Sequence, residues 1–399
     1  MSVLIVGVGC VSALGTSVDE HLQSFEMKRN GLGEVTLFQS KLQLPVAEVK
    51  KTNTELKNEL GISVEKVFSR TALLGMLAAK QAYNDAQIKR QDLRIGIISA
   101  SSVGGMDLSE RFYTEFLIDN KIANIRNFAH HDVGDHTECI ADYLKINGFR
   151  TSVSTACSSA ANAILLGSRM IEQDLLDVVI AGGADALCKF TLNGFNSLMI
   201  LDNKPCRPFD ESRSGLNLGE GAGYVVLQSK KTLSRTVKIY AQLTGYANAN
   251  DAFHQTASSP EGEGAFLAMK YALQKAGINP SDVDYINAHG TGTVNNDLSE
   301  SIAIKRLFGN KVPMFSSTKA FTGHTLGAAG GLEAVFSVLA IYRNVVYPNL
   351  NFQNPIAETQ LIPVTDFLEN QSICTVVSNS FGFGGNNTSL IFQQFPGHV

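Results

Sequence analysis

The sequence predicts an α/β fold built from two similar halves, and three internal echoes carry that prediction. Residues 73 to 105, "LLGMLAAKQAYNDAQIKRQDLRIGIISASSVGG", lie on residues 266 to 291, "FLAMKYALQKAGINPSDVDYINAHGT". Ala82, Ala86, Ile88 and Asp92 fall on Ala272, Ala276, Ile278 and Asp282 at a constant offset of 190 (272 − 82), and Ala100 meets Ala288 after a two-residue slip. Each copy reads as a helix, an acidic turn and a buried strand. The N-terminal "SVLIVGVGCVSALG" resembles "VKIYAQLTGYANAN" from Val237, and "STACSSAANAILLGS" at residues 154 to 168 has a counterpart in "GHTLGAAGGLEAVFSVLAIY" after Thr322. The halves are expected at residues 1–235 and 236–399. A chain of 399 residues that is 44% hydrophobic can bury the large core such a tandem needs.

Taken in order, the first element is a strand, because Gly7 and Gly9 punctuate an apolar run that has no basic segment before it and so does not read as a signal peptide. Its "GVGCVS" is a poor dinucleotide fingerprint, since Ser12 stands where the third glycine belongs. "HHDVGDHTEC", residues 130 to 139, gathers His130, His131, Asp132, Asp135, His136 and Cys139. Adjacent histidines point apart on a regular element, so this reads as a polar loop entering a helix, with no metal expected. Six scattered cysteines without disulfide or CxxC spacing favour reduced thiols in the cytoplasm. A net charge of −4 without charge runs argues against binding nucleic acid, and no uninterrupted apolar run spans a bilayer.

Cys157 then falls at the first turn of a small-residue helix, with Ser154 and Thr155 as candidate N-caps. A helix N-terminus lowers a thiol pKa, so this cysteine is a candidate nucleophile. "YINAHGTGTVNNDLSE" is a strand running into a loop that presents His289, Thr291 and Thr293, with Asp297 and Glu300 opening a helix. "SSTKAFTGHTLGAAGGLEAVF" offers Lys319 and, just before the second small-residue helix, His324. "VVSNSFGFGGNNTSLIF" is a strand, a glycine turn around Phe381 and Phe383, and a second strand, and glycines let backbone N–H groups approach a reacting oxygen.

Together, "TACSSA", "RPFDESRSGLNLGEGAG", "NAHGTGT", "STKAFTGHTLGAAGGLEA" and "NSFGFGGNN" resemble the elongating β-ketoacyl-acyl carrier protein synthases of the thiolase superfamily, over nearly the whole chain. The resemblance implies a thiolase-like fold of two βαβαβαββ halves in αβαβα layers, a homodimer, an acyl carrier protein as partner, and no cofactor beyond the phosphopantetheine that substrates carry. By motif, Cys157 resembles the nucleophile, His289 and His324 the pair that promotes decarboxylation of the malonyl carrier, and the N–H groups of Cys157 and Phe383 the oxyanion hole. The resemblance further implies that Lys319 supports His324 electrostatically together with Glu333, and that Thr291 and Thr293, with Thr256 beside them, hydrogen-bond the pantetheine arm. Val103 is expected at the floor of the acyl pocket, and Lys66, Arg70, Lys121 and Arg126 at a basic entrance for the acidic carrier.

The chain departs from the family pattern at Val294 and Asn296, where proline and glycine are common, at Leu216, a phenylalanine in "RDGF" synthases, and at Asn386, a frequent threonine. These bear on substrate preference, between fatty acid synthesis and a specialised polyene or polyketide pathway. A thiolase would need a second cysteine in the glycine turn, an initiating synthase asparagine in place of His324, and a chain-length factor would lack Cys157. A papain-like hydrolase shares only the Cys-to-His spacing, without the local cysteine signature.

Overall fold

The computed structural model describes residues 2–88, 92–234 and 237–396. The expected division at residues 235–236 lies outside the described residues. Ten strands run β1 (Val3–Ser12), β2 (Ile95–Ala100), β3 (Arg150–Val153), β4 (Val178–Asp185), β5 (Gly221–Ser229), β6 (Ala241–Asn250), β7 (Tyr285–Asn287), β8 (Met314–Ser316), β9 (Thr375–Gly382) and β10 (Asn386–Gln393). Their spatial order is β3-β2-β4-β5-β1-β6-β10-β9-β7-β8.

Read outward from the middle, the two sets of five have the same order. Within each set the inner three strands pair antiparallel and the outer three parallel. The sets join through a short pairing of β1 with β6, Val3 opposite Leu243 and Ile5 opposite Ala241.

Side-chain alternation sorts the strands into layers, as a strand buried on both faces requires. In β1, Val3 and Ile5 enter a central core with Ile164 and Val335, whereas Leu4 and Val6 face an outer core with Leu73 and Leu77. In the other half Val376, Leu390 and Phe392 join the central core, while Val377 and Ile391 pack outward on Met269 and Ile304. Helices Ser159–Glu172 and Ala329–Arg343 thus lie between the half-sheets, with Arg70–Ala86 outside one half and Glu263–Ala276 and Val294–Phe308 outside the other. This is the layered αβαβα arrangement.

The small residues of the repeat have a packing cause. A Cβ on Gly7 would stand 2.2 Å from Ala82 O and 2.8 Å from Ala86 Cβ, and one on Gly245 would meet Ala272 O and Ala276 Cβ at those same distances. Each outer helix therefore rests directly on its strand, which only glycine opposite alanine permits. Gly7 is the structural partner of Gly245 (offset 238), so the strand alignment by sequence, which starts Ser2 on Val237 (offset 235), is out by three residues. β1 is buried along its whole length whereas β6, "AQLTGYANAN", alternates with polar residues and is only partly buried, so hydropathy does not match the two strands and the glycine contact with the outer helix does.

The run Leu326–Arg343 is apolar and long enough to cross a membrane, contrary to the reading of the sequence, and 89% of it is buried in the protein. It is a core helix, apolar all round because sheets cover both its sides.

Candidate active site

The nucleophile turn precedes the central helix. Ala156 has φ 54, a left-handed conformation that costs a residue with a Cβ, and it turns Cys157 toward the second half. Leu326 repeats this at φ 52 ahead of Ala329–Arg343, at the offset of 170 that relates the two helix starts (329 − 159), so Gly327 is the counterpart of Cys157. The helix begins later than expected. Ser158 is its N-cap, without a side-chain cap bond, and neither Ser154 nor Thr155 fills that position.

Burial pushes the Cys157 thiol up to about 11, against the lowering effects of the Lys319 charge and of the Phe383 N–H aimed at its sulfur. The resting group is a thiol, which overturns the expectation that the helix terminus would leave it readily ionised.

His324 Nε2 lies 3.0 Å from Cys157 Sγ. The Leu326 N–H donates to His324 Nδ1 at 3.2 Å, so Nδ1 is an acceptor and the ring proton resides on Nε2, facing the sulfur. At His289 the Lys319 ammonium lies 3.2 Å from Nδ1 and fixes the same tautomer. The two imidazole centroids are 5.4 Å apart at 85°. Burial, reinforced by the Lys319 charge, holds both well below the ordinary imidazole range and therefore neutral. Two neutral N–H donors converge beside one thiol.

Besides the electrostatic effect expected on His324, Lys319 touches His289 directly. It also donates to the His289 carbonyl at 2.6 Å and pairs with Glu333 in a buried ion pair. Its effect on His324 is that of charge alone. Glu300 accepts from the N–H groups of His289 (2.9 Å) and Gly290 (2.8 Å) and from Asn379 (3.1 Å), which fixes the loop carrying the imidazole. Asp297 accepts from Phe209 N–H (2.8 Å) and Gly292 N–H (3.1 Å), tying residues 205 to 217 to that loop.

Two cavities meet at Cys157. One, of about 240 Å³, is lined by His289, His324, Thr256, Thr291, Thr293, Leu216, Phe381 and Phe383, with Val294 and Asn296 at its wall. Thr291 and Thr293 hydrogen-bond each other at 2.9 Å, and Thr256 is exposed. The other, of about 340 Å³ and almost wholly apolar, is lined by Val103, Phe190, Thr191, Phe195, Leu198 and Leu326. Phe383 borders both and stacks on Phe195 at 5.9 Å. The first chamber carries the polar groups, His289, His324 and the threonines, and the second, lined almost wholly by apolar side chains, suits a hydrocarbon chain.

Two residues went unnoticed in the sequence. Asp185, fully buried at the end of β4, accepts from Ser102 and Val103 N–H (both 3.0 Å) and Gly327 N–H (2.6 Å) and so braces the acyl-side loop against the turn after His324. The signal was there, an acid closing the apolar "VVIAGGAD". Phe195, which stacks on Phe383, left none.

Of the four basic candidates, Lys66, Lys121 and Arg126 are exposed. Arg70 is not available for docking, since its guanidinium is buried on Glu220 at 2.6 Å. Within the histidine cluster His131 bonds to Ser109 Oγ and His136 to Ser99 Oγ, pointing away from His130, whereas the donor atoms of His130, Asp135 and Cys139 converge within 4.8 Å. His130 and Cys139 there share one carboxylate oxygen of Asp135.

A duplicated, layered α/β frame with a thiol on a strained turn and two N–H imidazoles from the opposite half defines a thiolase-like protein of the Cys-His-His type. The chain belongs to the β-ketoacyl synthase family. Residues 1–232 match the family's N-terminal domain and residues 240–353 its C-terminal domain. It is 35% identical to 3-oxoacyl-[acyl-carrier-protein] synthase 2 of Rhizobium meliloti (strain 1021), over 99% of each chain. Among solved structures it resembles the ishigamide ketosynthase/chain length factor (30% identity, TM-score 0.92, 99% of each chain). It also resembles the ketosynthase ApeO of Xenorhabdus doucetiae, solved with its chain length factor ApeC (33% identity, TM-score 0.87, 99% of this chain and 98% of that one).

Proposed function

We propose that this protein is an elongating β-ketoacyl-acyl carrier protein synthase. The observation that carries the reading is the pair of imidazoles, both fixed as Nε2–H donors, with His324 at 3.0 Å from the Cys157 sulfur.

In the first half-reaction the sulfur of Cys157 adds to the acyl-carrier thioester, whose carbonyl oxygen is received by the N–H groups of Cys157 and Phe383. The bond between the acyl carbon and the pantetheine sulfur breaks, and the departing sulfur takes the thiol proton. The chain then occupies the apolar chamber at Val103. In the second, Thr291 and Thr293 hold the pantetheine of a malonyl carrier, with Thr256 at the mouth. The bond to the malonyl carboxylate breaks, carbon dioxide leaves, and the electron pair becomes an enolate whose oxygen accepts from His289 and His324 Nε2–H. Its carbon attacks the acyl carbon on Cys157. The C–S bond breaks, the β-ketoacyl carrier departs, and the sulfur recovers a proton from water.

Neutral, desolvated donors suit this step because charge develops only in the transition state. The relatives' names support fatty acid synthesis with an acyl carrier protein as partner, and the cytoplasm as its place rests on the six cysteines alone, all of them free thiols. A likeness to the ketosynthase structure solved with its type II PKS acyl-carrier protein (25% identity, TM-score 0.90, 99% of each chain) supports the second reading, a specialised pathway. Intact mass of the Cys157 adduct after offering saturated and polyunsaturated acyl carriers decides between them.

A homodimer completes the reading. β3 is an edge strand, and Leu117 (66% exposed), Ile118 (76%), Ile122 (59%) and Ile125 (65%) leave apolar side chains in solvent that a second copy would cover. Light scattering at twice the chain mass supports it, and a monomer at micromolar concentration contradicts it.

A further inference from the structure

The oxyanion hole joins two separate loops, so something must set the distance between them. Gly382 touches the nucleophile turn on one side of Phe383, where an added Cβ would stand 2.9 Å from Thr155 O and 3.2 Å from Cys157 N. On the other side stands Asn386, one of the positions where the chain departs from its family. Its Oδ1 lies 2.7 Å from Ser158 Oγ, 2.9 Å from Asn162 Nδ2 and 2.7 Å from Asn248 Nδ2. Two amide donors on one atom fix which end of the side chain is the oxygen.

These partners sit at informative places. Ser158 follows Cys157 and begins its helix, Asn162 lies one turn further, and Asn248 belongs to β6 of the other half. Asn162 Oδ1 in turn accepts from Thr388 Oγ1 at 2.9 Å and Asn248 Nδ2 at 3.1 Å. The knot ties the start of β10 to the nucleophile helix three residues after Phe383. Between it and Gly382, residues 383 to 385 carry two consecutive left-handed glycines, Gly384 (φ 80) and Gly385 (φ 78), whose backbone is hydrogen-bonded to Gln255, Asn250, Asp251 and Asn387, all outside the nucleophile helix, so that the link to that helix on this side of Phe383 runs through Asn386.

We propose that Asn386 is a positioning residue for acyl transfer: by accepting from Ser158 and Asn162 it sets the Phe383 N–H against the Cys157 N–H so that both face one thioester oxygen. The inference rests on the function proposed above. It separates two properties of the same thiol. Acyl transfer needs the paired N–H groups, whereas alkylation by iodoacetamide is a direct displacement that develops no oxyanion.

The test compares wild type, Asn386→Leu, Ser158→Ala and the double variant, measuring acylation of Cys157 by an acyl carrier and alkylation by iodoacetamide on the same folded samples. Each single variant is expected to acylate about tenfold more slowly, the scale of a donor displaced by less than 1 Å, with alkylation within about twofold of wild type. The double variant should be no slower than about twofold below the worse single, because both substitutions break one link. Equal loss of acylation and alkylation, undiminished acylation, or multiplied defects in the double variant would each overturn the inference. A wild-type protein that alkylates but never acylates refutes the functional reading instead.

Discussion

Lys319→Met tests how the charge of one buried lysine is used. The substitution keeps the bulk of the stem and removes an ammonium that touches His289 Nδ1 (3.2 Å), the His289 carbonyl (2.6 Å) and Glu333. Burial already raises the Glu333 carboxyl to about 7 despite the neighbouring ammonium, so without it Glu333 takes up a proton at neutral pH. That relaxation spares the variant a bare buried charge, and the loss should stay near ~3 kcal/mol, the low end for a broken buried pair. The larger effect is on chemistry. With Nδ1 no longer held as an acceptor, the His289 proton can move to it, and removing one oxyanion donor costs ~10²- to 10³-fold. Carbon dioxide release from a malonyl carrier should fall by about that factor. Acylation of Cys157 should fall less, through loss of the Lys319 charge that opposes the raised thiol pKa. Carbon dioxide release within threefold of wild type, in a variant shown to be folded, would refute this account of Lys319.

Val103→Phe should shorten the accepted acyl chain, because the residue lines the 340 Å³ chamber beside Cys157 and overpacking a fitted site costs ~1–3 kcal/mol. Adduct masses from a chain-length series check it, and an unchanged preference counts against that chamber. Charge reversal at Lys66, Lys121 and Arg126 should raise KM for the acyl carrier and spare a free pantetheine thioester, whereas reversal at Arg70 should unfold the protein through its buried Glu220 pair. Glu300 is buried and raised to about 7 from an ordinary 4.5, so the folded state binds more protons than the unfolded one and the group's contribution is lost as pH rises through that window. Buried histidines act in the opposite sense. The effect is therefore read as a difference: between pH 5 and 7.5 the Tm of Glu300→Gln should change by a more positive amount than that of wild type, and parallel curves would exclude it.

Much of the frame was legible because its repeat is enforced by packing. Ala82 and Ala86 match Ala272 and Ala276 since each pair lets a helix rest on a glycine of its strand. The strand register was not legible, because it is set by the glycines that meet the outer helices, Gly7 and Gly245, and under that match Gln242 and Thr244 of β6 fall on the apolar Leu4 and Val6 of β1. At the site, Cys157, His289 and His324 stood out as reactive types in small-residue surroundings, and the fold brings them together. What escaped reading depends on direction and depth. No spacing shows that Lys319 turns to His289, that Arg70 is folded inward, or that burial outweighs the helix terminus at Cys157. Ala156 and Leu326 take a left-handed turn for which neither residue type gives any cue.

The division of labour between sulfur and imidazoles is tested most directly by measuring acyl-enzyme formation and carbon dioxide release on the same samples of Cys157→Gln and His324→Ala. Cys157→Gln should abolish condensation and still decarboxylate malonyl carrier, even faster than wild type, since its amide stands where the acyl-enzyme carbonyl would. His324→Ala should acylate and fail to decarboxylate, as expected when a donor used in the transition state is removed. Loss of both activities in a folded Cys157→Gln protein, or normal decarboxylation by His324→Ala, would contradict the roles assigned to this site.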